Sequence, residues 1–222
     1  MATTRRFTFV RRGAGASREA FLAALRARAG GLAPSGLDCI VNQAQPAIDG
    51  LIPEPLWDGL VETEPAEPDV LGESLLLKLL DNSETGADRN QMVEFIAEAK
   101  IVLDGPARGV KILSLPRRKA GSSPGEFSRH YREVHGALVA RNEAFVEYAN
   151  RYVQHHLLPG TVRATGGVIP YDGISEFWFD SLDHARSAWE APSYMAELRA
   201  DEKNFVGSPP SHRLLVVPVD TA

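Results

Sequence analysis

Two stretches of this chain repeat one another, and self-similarity at a long, fixed offset strongly constrains what a sequence can fold into. Arg11-Arg12-Gly13-Ala14-Gly15-Ala16-Ser17-Arg18-Glu19-Ala20-Phe21 lies 106 residues before Arg117-Arg118-Lys119-Ala120-Gly121-Ser122-Ser123-Pro124-Gly125-Glu126-Phe127, with six of eleven positions identical. Trp57-Asp58-Gly59-Leu60-Val61-Glu62 lies 114 residues before Tyr171-Asp172-Gly173-Ile174-Ser175-Glu176, keeping Asp, Gly and Glu. The same offset carries Ile101-Val102-Leu103 onto Leu215-Val216-Val217. Three matches in one order predict two copies of one module, residues 1–105 and 106–222, joined near Asp104-Gly105-Pro106 where Gly and Pro punctuate two apolar runs.

The second copy reads as β-α-β-β-α-β. Val110 to Leu115 is apolar enough for a strand, and Gly121-Ser122-Ser123-Pro124 then supplies a turn, an N-cap and a proline at the first helical position. Phe127, Tyr131, Val134 and Leu138 recur at helical spacing and predict one apolar stripe, with His135 on its shoulder. Tyr148 to Leu158 and Gly173 to Phe179 are rich in aromatic and β-branched residues, as strands are. Ser181 to about Asn204 reads as a helix interrupted at Pro192, and His212 to Val219 as the last strand. In the first copy the same order predicts strands near Arg6 to Arg12, Leu37 to Gln43, Gly59 to Glu64 and Ala99 to Leu103. Its helices fall near Ser17 to Ala29 and Asp69 to Asp81, and Ala44 to Trp57, with three prolines, is a loop. A four-stranded sheet with both helices on one face needs cover on the other, and a second such sheet provides it. The expected fold is therefore α+β: two tandem βαββαβ modules packed sheet to sheet as an internal pseudo-dimer.

Charge and cysteine content narrow the chemistry. Residues 1–104 carry 10 Lys and Arg against 16 Asp and Glu, and residues 105–222 carry 14 against 13, so neither half has the basic field a phosphate backbone requires. Nucleic acid is not an expected partner. No apolar run approaches the roughly 20 residues of a membrane span, and the arginine-bearing N-terminus is not followed by the apolar stretch of a secretion signal, so a cytoplasmic protein without membrane contact is expected. A single cysteine, Cys39, leaves no intrachain disulfide and no cysteine-based zinc site.

All six histidines and all five tyrosines lie in the second copy, which places any small-molecule chemistry there. Tyr131 and His135 are one helical turn apart on the same face, and a partly buried imidazole there could move a proton near neutral pH. A structural histidine bonded to a backbone carbonyl is the alternative. His130, on the opposite shoulder, is the weaker candidate. Strand alternation puts Tyr152, Gln154 and His156 on one face, a candidate pocket wall, and Val153, His155 and Leu157 on the other, so the adjacent histidines cannot share a metal. Glu176 shares a face with Ile174 and Trp178, where an unpaired carboxylate would be costly. Its retention as Glu62 in the first copy favours a structural bond to backbone or arginine. Asp58-Gly59 and Asp172-Gly173 read as turn chemistry, and His184 and His212 as solvated. No nucleotide loop, nucleophile elbow or zinc helix is present, so proton transfer or electrostatic stabilisation without a cofactor or metal is the natural expectation.

In order along the second copy stand Leu115-Pro116-Arg117-Arg118, Ser123 to Phe127 with Tyr131, His135-Gly136-Ala137-Leu138-Val139, Tyr152 to His156, Tyr171 to Phe179 and Ala200-Asp201-Glu202-Lys203-Asn204-Phe205. Through these segments the stretch Lys111 to Phe205 resembles the EthD-domain family of the dimeric α+β barrel superfamily. The first copy resembles a degenerate member, matching at Ser17 to Phe21, Asp58 to Glu62 and faintly at Asp88-Arg89-Asn90, and lacks the histidine-bearing segment. The resemblance implies a ferredoxin-like fold paired into a barrel, a pocket between sheet and helices, and substrates that are small aromatic or polyketide-like molecules. Related enzymes decarboxylate, cyclise, dehydrate or oxygenate without a bound cofactor, and some relatives of the fold bind haem. By that analogy His135 and His156 are the proton-transfer groups, Tyr131 orients a phenol or enol with Tyr152, and Tyr152, Gln154, Trp178 and Glu176 form the substrate wall. A non-catalytic small-molecule or haem-binding accessory protein is the alternative. Fold analogy does not choose the reaction, and the internal pairing allows either a monomer or a homodimer.

Overall fold

The computed structural model describes residues 3–30, 38–64, 86–166, 171–207 and 212–219. The expected helix near Asp69 to Asp81 lies outside them. In chain order the elements are β1 (Thr4–Arg12), α1 (Arg18–Gly30), β2 (Asp38–Ala44), β3 (Gly59–Glu64), β4 (Ala87–Leu103), β5 (Val110–Leu115), α2 (Pro124–His130), a π-helical turn (Tyr131–His135), α3 (Gly136–Val139) and α4 (Glu143–Tyr148). There follow β6 (Ala149–Leu157), β7 (Arg163–Ala164), β8 (Gly173–Phe179), α5 (Leu182–Glu190), a second π-helical turn (Tyr194–Leu198), α6 (Arg199–Phe205) and β9 (His212–Val219). The break between α5 and the second π turn falls at Pro192, where the missing amide cannot continue the helix. Short α4 and the two-residue β7 were not legible as separate elements.

The strands run β1-β3-β2-β9-β5-β8-β6-β4, and β4 pairs again with β1, so an eight-stranded antiparallel barrel closes; β7 adds to β4 from outside. Each half contributes four strands in the same relative order, β4-β1-β3-β2 from the first and β9-β5-β8-β6 from the second. The seams are reciprocal: β2 meets β9 at Val41↔Val219, and β4 meets β6 at His155↔Ala99. The sheets thus join edge to edge as well as face to face, which removes the open edges that would otherwise invite pairing with other chains. These seams also explain why β4 is far longer than the expected Ala99 to Leu103. Its residues Ala87 to Glu98 pair with β1 and Ala97 to Leu103 with β6, and two ladders hold a polar stretch that intrinsic preference would not make a strand.

Alternation along each strand divides the core in two. Phe7, Phe9, Leu60, Phe95, Leu113 and Leu214 point into the barrel, while Val10, Val41 and Val61 face α1, and Ile112, Phe177, Phe179 and Leu215 face the helices of the second half. The repeated sequence motifs form repeated bonds. The Arg12 backbone N–H and guanidinium both donate to Asp58, and those of Arg118 both donate to Asp172. Arg12 also donates to the Ala16 carbonyl and Arg118 to that of Ser122. Trp57 and Tyr171, which head the two matching Asp-Gly segments, meet each other: Trp57 Nε1 donates to the Tyr171 hydroxyl at 3.1 Å inside the barrel.

Candidate functional site

The helix that carries Tyr131 and His135 is started by a capping box. Ser123 Oγ accepts from the Glu126 N–H at 3.2 Å, and the Glu126 carboxylate accepts from the Ser123 N–H at 2.8 Å, with Pro124 at the first helical position. The expected stripe of Phe127, Tyr131, Val134 and Leu138 is corrected by the π turn over Tyr131–His135. One extra residue per turn moves the buried face on by one position, so Val134 is 44% exposed while His135 and Val139 are buried. His135 is therefore not on a shoulder but beneath the helix.

There His135 Nδ1 lies 3.0 Å from Asp201 Oδ2 on α6, and His130 Nε2 lies 2.8 Å from the other oxygen of the same carboxylate. Burial pushes the Asp201 carboxyl upward, but the bonds from His135 and His130 outweigh it and hold the group below its usual range. The Phe205 ring packs on both imidazoles, with centroids 5.1 Å from His135 and 4.7 Å from His130.

On the sheet side, the Tyr131 hydroxyl donates to the Ile174 carbonyl at 2.9 Å and lies 2.6 Å from Ser175 Oγ, which is 3.3 Å from the Tyr152 hydroxyl. Gln154 Nε2 donates to the Tyr152 hydroxyl and to the Tyr131 carbonyl, at 3.1 and 2.7 Å. His156 Nδ1 meets Ser128 Oγ at 3.0 Å, and its ring lies 5.0 Å from that of Tyr131. Burial raises the Tyr131 and Tyr152 phenols, which therefore stay protonated. Burial, aided by Arg132, Lys100 and His155, lowers His156 to about 3, so its imidazole is neutral at pH 7 and a very weak base.

Tyr131, His135 and Ser175 line a narrow cavity of about 30 Å³, walled also by the rings of Phe177 and Trp189 and by Arg213. Arg213 lies 4.4 Å over the Trp189 ring and makes only long bonds, 3.4 Å to the Leu51 carbonyl and 3.5 Å to the Tyr194 hydroxyl. Tyr152 and Gln154 stand behind this wall and reach it through the hydroxyl network, while His156 bonds Ser128 and meets the wall through its ring against Tyr131.

Glu176 and Trp178 are elsewhere, on the barrel side of β8. Trp178 Nε1 donates to Glu176 Oε1 at 2.8 Å, and Glu176 Oε2 lies 3.1 Å from His155 Nε2 and 3.6 Å from both Lys111 Nζ and an Arg5 nitrogen. Lys111 also bonds Glu62 at 2.5 Å, Arg5 bonds it at 3.1 Å, and Asn42 donates to it at 2.8 Å. Burial raises the Glu176 carboxyl, but Lys111, His155 and Arg5 together drive it well below its usual range. This knot of charge ties the halves together, in keeping with the structural role inferred from Glu62, and the sheet keeps Glu176 and Trp178 apart from Tyr152 and Gln154.

Sequence reasoning missed Asp201, Arg213 and Lys111. Asp201 sits in the segment Ala200 to Phe205, quoted above only for resemblance. Lys111 and Arg213 were each a lone charge in an apolar strand, a pattern that by itself asks for a buried partner. His212 is not solvated: burial lowers its imidazole, and its Nε2 is enclosed without a partner among the described residues. His184 packs its ring against Tyr148 at 5.7 Å. Among the described residues no cluster of three metal-ligating side chains occurs, and no helix is long and apolar enough to cross a membrane. A haem does not fit beside His135, because a pocket for a ligand of that size needs several hundred Å³, roughly ten times the space present.

Residues 119–209 match the EthD domain family. Similar folds occur in an anthrone oxidase-like protein (10% identity, TM-score 0.58, covering 98% of this chain and 92% of that one) and in a chlorite dismutase-like protein (9%, 0.54, 100% and 96%). A mutant chlorite dismutase from Candidatus Nitrospira defluvii, solved with cyanide, is 13% identical with a TM-score of 0.54, covering 99% and 91%. At these identities the likeness is one of fold, that of the dimeric α+β barrel proteins. No curated protein matches this sequence significantly.

Proposed function

We propose that this chain, whose residues 119–209 form an EthD domain, is a small-molecule enzyme that moves a proton on an aromatic or polyketide-like carbonyl compound. The single observation that carries the reading is the buried His135–Asp201 pair facing a cavity walled by aromatic rings. Asp201 accepts the Nδ1 proton and so fixes the tautomer that leaves a lone pair on Nε2. Nε2 then takes a proton from the carbon beside the carbonyl, the bonding pair moves into the carbonyl, and the oxygen becomes an enolate. Arg213, on the same cavity and only loosely bonded, is the cation placed to hold that oxygen.

The other candidates take supporting parts. Tyr131 donates a hydrogen bond to the Ile174 carbonyl and is a positioning residue, with Tyr152 and Gln154 bracing it. His156, neutral and weakly basic, belongs to the same brace. Glu176 and Trp178 hold the barrel. The modules at 1–105 and 106–222 belong to this proposal as scaffold and site-bearing copy, supported by the repeated Arg–Asp ties, and a barrel closed within one chain suits a monomer.

A single aromatic ring needs a cavity on the order of 150 Å³. Substrate entry therefore requires the two π turns, which carry Tyr131, His135, Tyr194 and Leu198 on the cavity wall, to part. The near-filled cavity favours one second reading, a non-catalytic binder of small molecules. The two separate by incubating the protein with a panel of phenolic and polyketide-like carbonyl acids and following product by mass spectrometry. Turnover should fall about 100-fold or more in His135→Ala and less in Asp201→Asn. Turnover unchanged in His135→Ala removes the proposed role, and thermal stabilisation by a panel member without any turnover supports the binder.

A further inference from the structure

A larger opening lies outside that cavity. Where the β5–α2 connection meets the turn after β6, a cleft of about 570 Å³ opens beside Tyr171, a volume within the range of small-molecule pockets. Leu157, Leu158, Val162 and Pro124 make its apolar walls, and Arg117, Arg118 and Lys119 stand against the single acid Asp172. Asp172 is engaged by Arg118. Among the described residues Lys119 Nζ reaches only the Lys203 carbonyl, at 3.3 Å. Arg117 lies 5.5 Å over the Tyr171 ring and has no carboxylate partner among the described residues. The cleft thus keeps an excess of two positive charges in a chain whose net charge is −5.

Arg117 is also held in place. The Tyr171 ring beneath it is buried and pinned at its hydroxyl by Trp57. The corresponding arginine of the first half, Arg11, is occupied by Gln91 at 2.6 Å. We propose that this cleft binds a small aromatic carboxylate, its ring against Leu157, Leu158 and Val162 and its carboxylate paired with Arg117. A planar guanidinium meets a carboxylate through two parallel hydrogen bonds, and the neighbouring apolar wall selects an anion that carries a ring over an inorganic one.

Calorimetric titration of the full chain with 2-naphthoate, and with 2-naphthalenemethanol as the neutral counterpart, tests this. Naphthoate should bind at least tenfold more tightly than the alcohol and at least tenfold more weakly to Arg117→Gln. Val162→Glu, which sets a like charge on the exposed wall, should weaken it comparably without touching Arg117. Arg213→Gln, in the other cavity, should leave naphthoate affinity unchanged. Equal binding of the alcohol, no binding at millimolar naphthoate, or loss in Arg213→Gln in place of Arg117→Gln each overturns the assignment, and none of these results bears on turnover at His135.

Discussion

Beneath α1 in the first half, Leu25, Ala29 and Val61 share one apolar cluster; at the corresponding places in the second half stand Tyr131, His135 and Ser175, bonded to one another's surroundings through hydroxyls and Asp201. The turns that frame these interfaces keep the same bonds, Arg12 to Asp58 and Arg118 to Asp172. The backbone of such a module therefore needs only its turn ties and its strand alternation, and the space between helix and sheet is free to be dry or polar. The dry version asks for packing alone. In the polar version the hydroxyl groups bond one another, and Gln154 Oε1 and His156 Nε2 at its margin are buried without a partner among the described residues.

The largest test concerns what the halves share. Lys111 holds both Glu62 of the first half and Glu176 of the second, all three buried. Lys111→Met takes the one fully buried lysine from two carboxylates and leaves them to Arg5 and His155, and weakening a buried charge knot in this way costs about 3 kcal/mol. Urea denaturation should show that loss as a single transition for the whole barrel. A loss below about 1 kcal/mol, or two separate transitions, would mean that the halves stand independently.

Acid should separate the halves next, since histidine occurs only in the second. His156 is held at about 3 in the fold against 6.5 when free, so between those values unfolding takes up a proton. Stability is thus complete above pH 6.5 and falls, by on the order of a few kcal/mol, as pH drops toward 3. His156→Gln should flatten that slope. Asp201, whose carboxyl is lowered, adds a loss confined to pH below the ordinary carboxylate range. An unchanged slope in His156→Gln would show that its burial does not govern acid stability.

Much of this contrast could be read from residues alone, and the parts that could not have physical reasons. β3, β5, β8 and β9 fall at the expected Gly59–Glu64, Val110–Leu115, Gly173–Phe179 and His212–Val219, because apolar alternation between turn residues is a local property. The first five residues of β4 read Ala87-Asp88-Arg89-Asn90-Gln91, a poor strand locally, and it is the distant β1, pairing at Arg12↔Ala87 and from Val10↔Met92 onward, that draws them into the sheet. The π turn left no mark in a 3.6-residue pattern, so Val134 was placed inside and His135 at the edge. Asp201 lies 66 residues from His135, and nothing in sequence spacing joins them.

A double-mutant cycle brings the comparison down to one bond. Ser175→Val supplies the residue that the first half has at Val61 and takes one partner from each of the Tyr131 and Tyr152 hydroxyls, which keep the Ile174 carbonyl and Gln154 Nε2, at a cost of about 1–3 kcal/mol. Tyr131→Phe removes one of those hydroxyls, so the pair together should cost about 1 kcal/mol less than the sum of the singles. Additivity would mean that the hydroxyls do not act as a network.

The smallest effect is the most discriminating. Gly59 and Gly173 each follow the aspartate of a matching Asp-Gly pair and open β3 and β8, and each lies under a helix residue, Leu25 or Tyr131. A Cβ on Gly59 would approach Leu25 Cδ2 to 2.8 Å; on Gly173 it would meet Tyr131 Cε1 at 3.2 Å and the His155 carbonyl at 3.3 Å. Distance alone makes Gly59→Ala the worse substitution. Leu25, however, ends in a methyl that can rotate away within an apolar cluster, and the lost backbone freedom of the unfolded chain returns about 0.4–1 kcal/mol. The Tyr131 ring is pinned at its hydroxyl by Ile174 and Ser175, and the carbonyl belongs to a strand ladder, so neither can yield. Gly173→Ala should therefore destabilise by about 1 kcal/mol more than Gly59→Ala in thermal or urea unfolding, despite its longer contacts. The opposite order would show that the polar interface is no stiffer than the dry one, and that the phenol network does not fix the helix above the sheet.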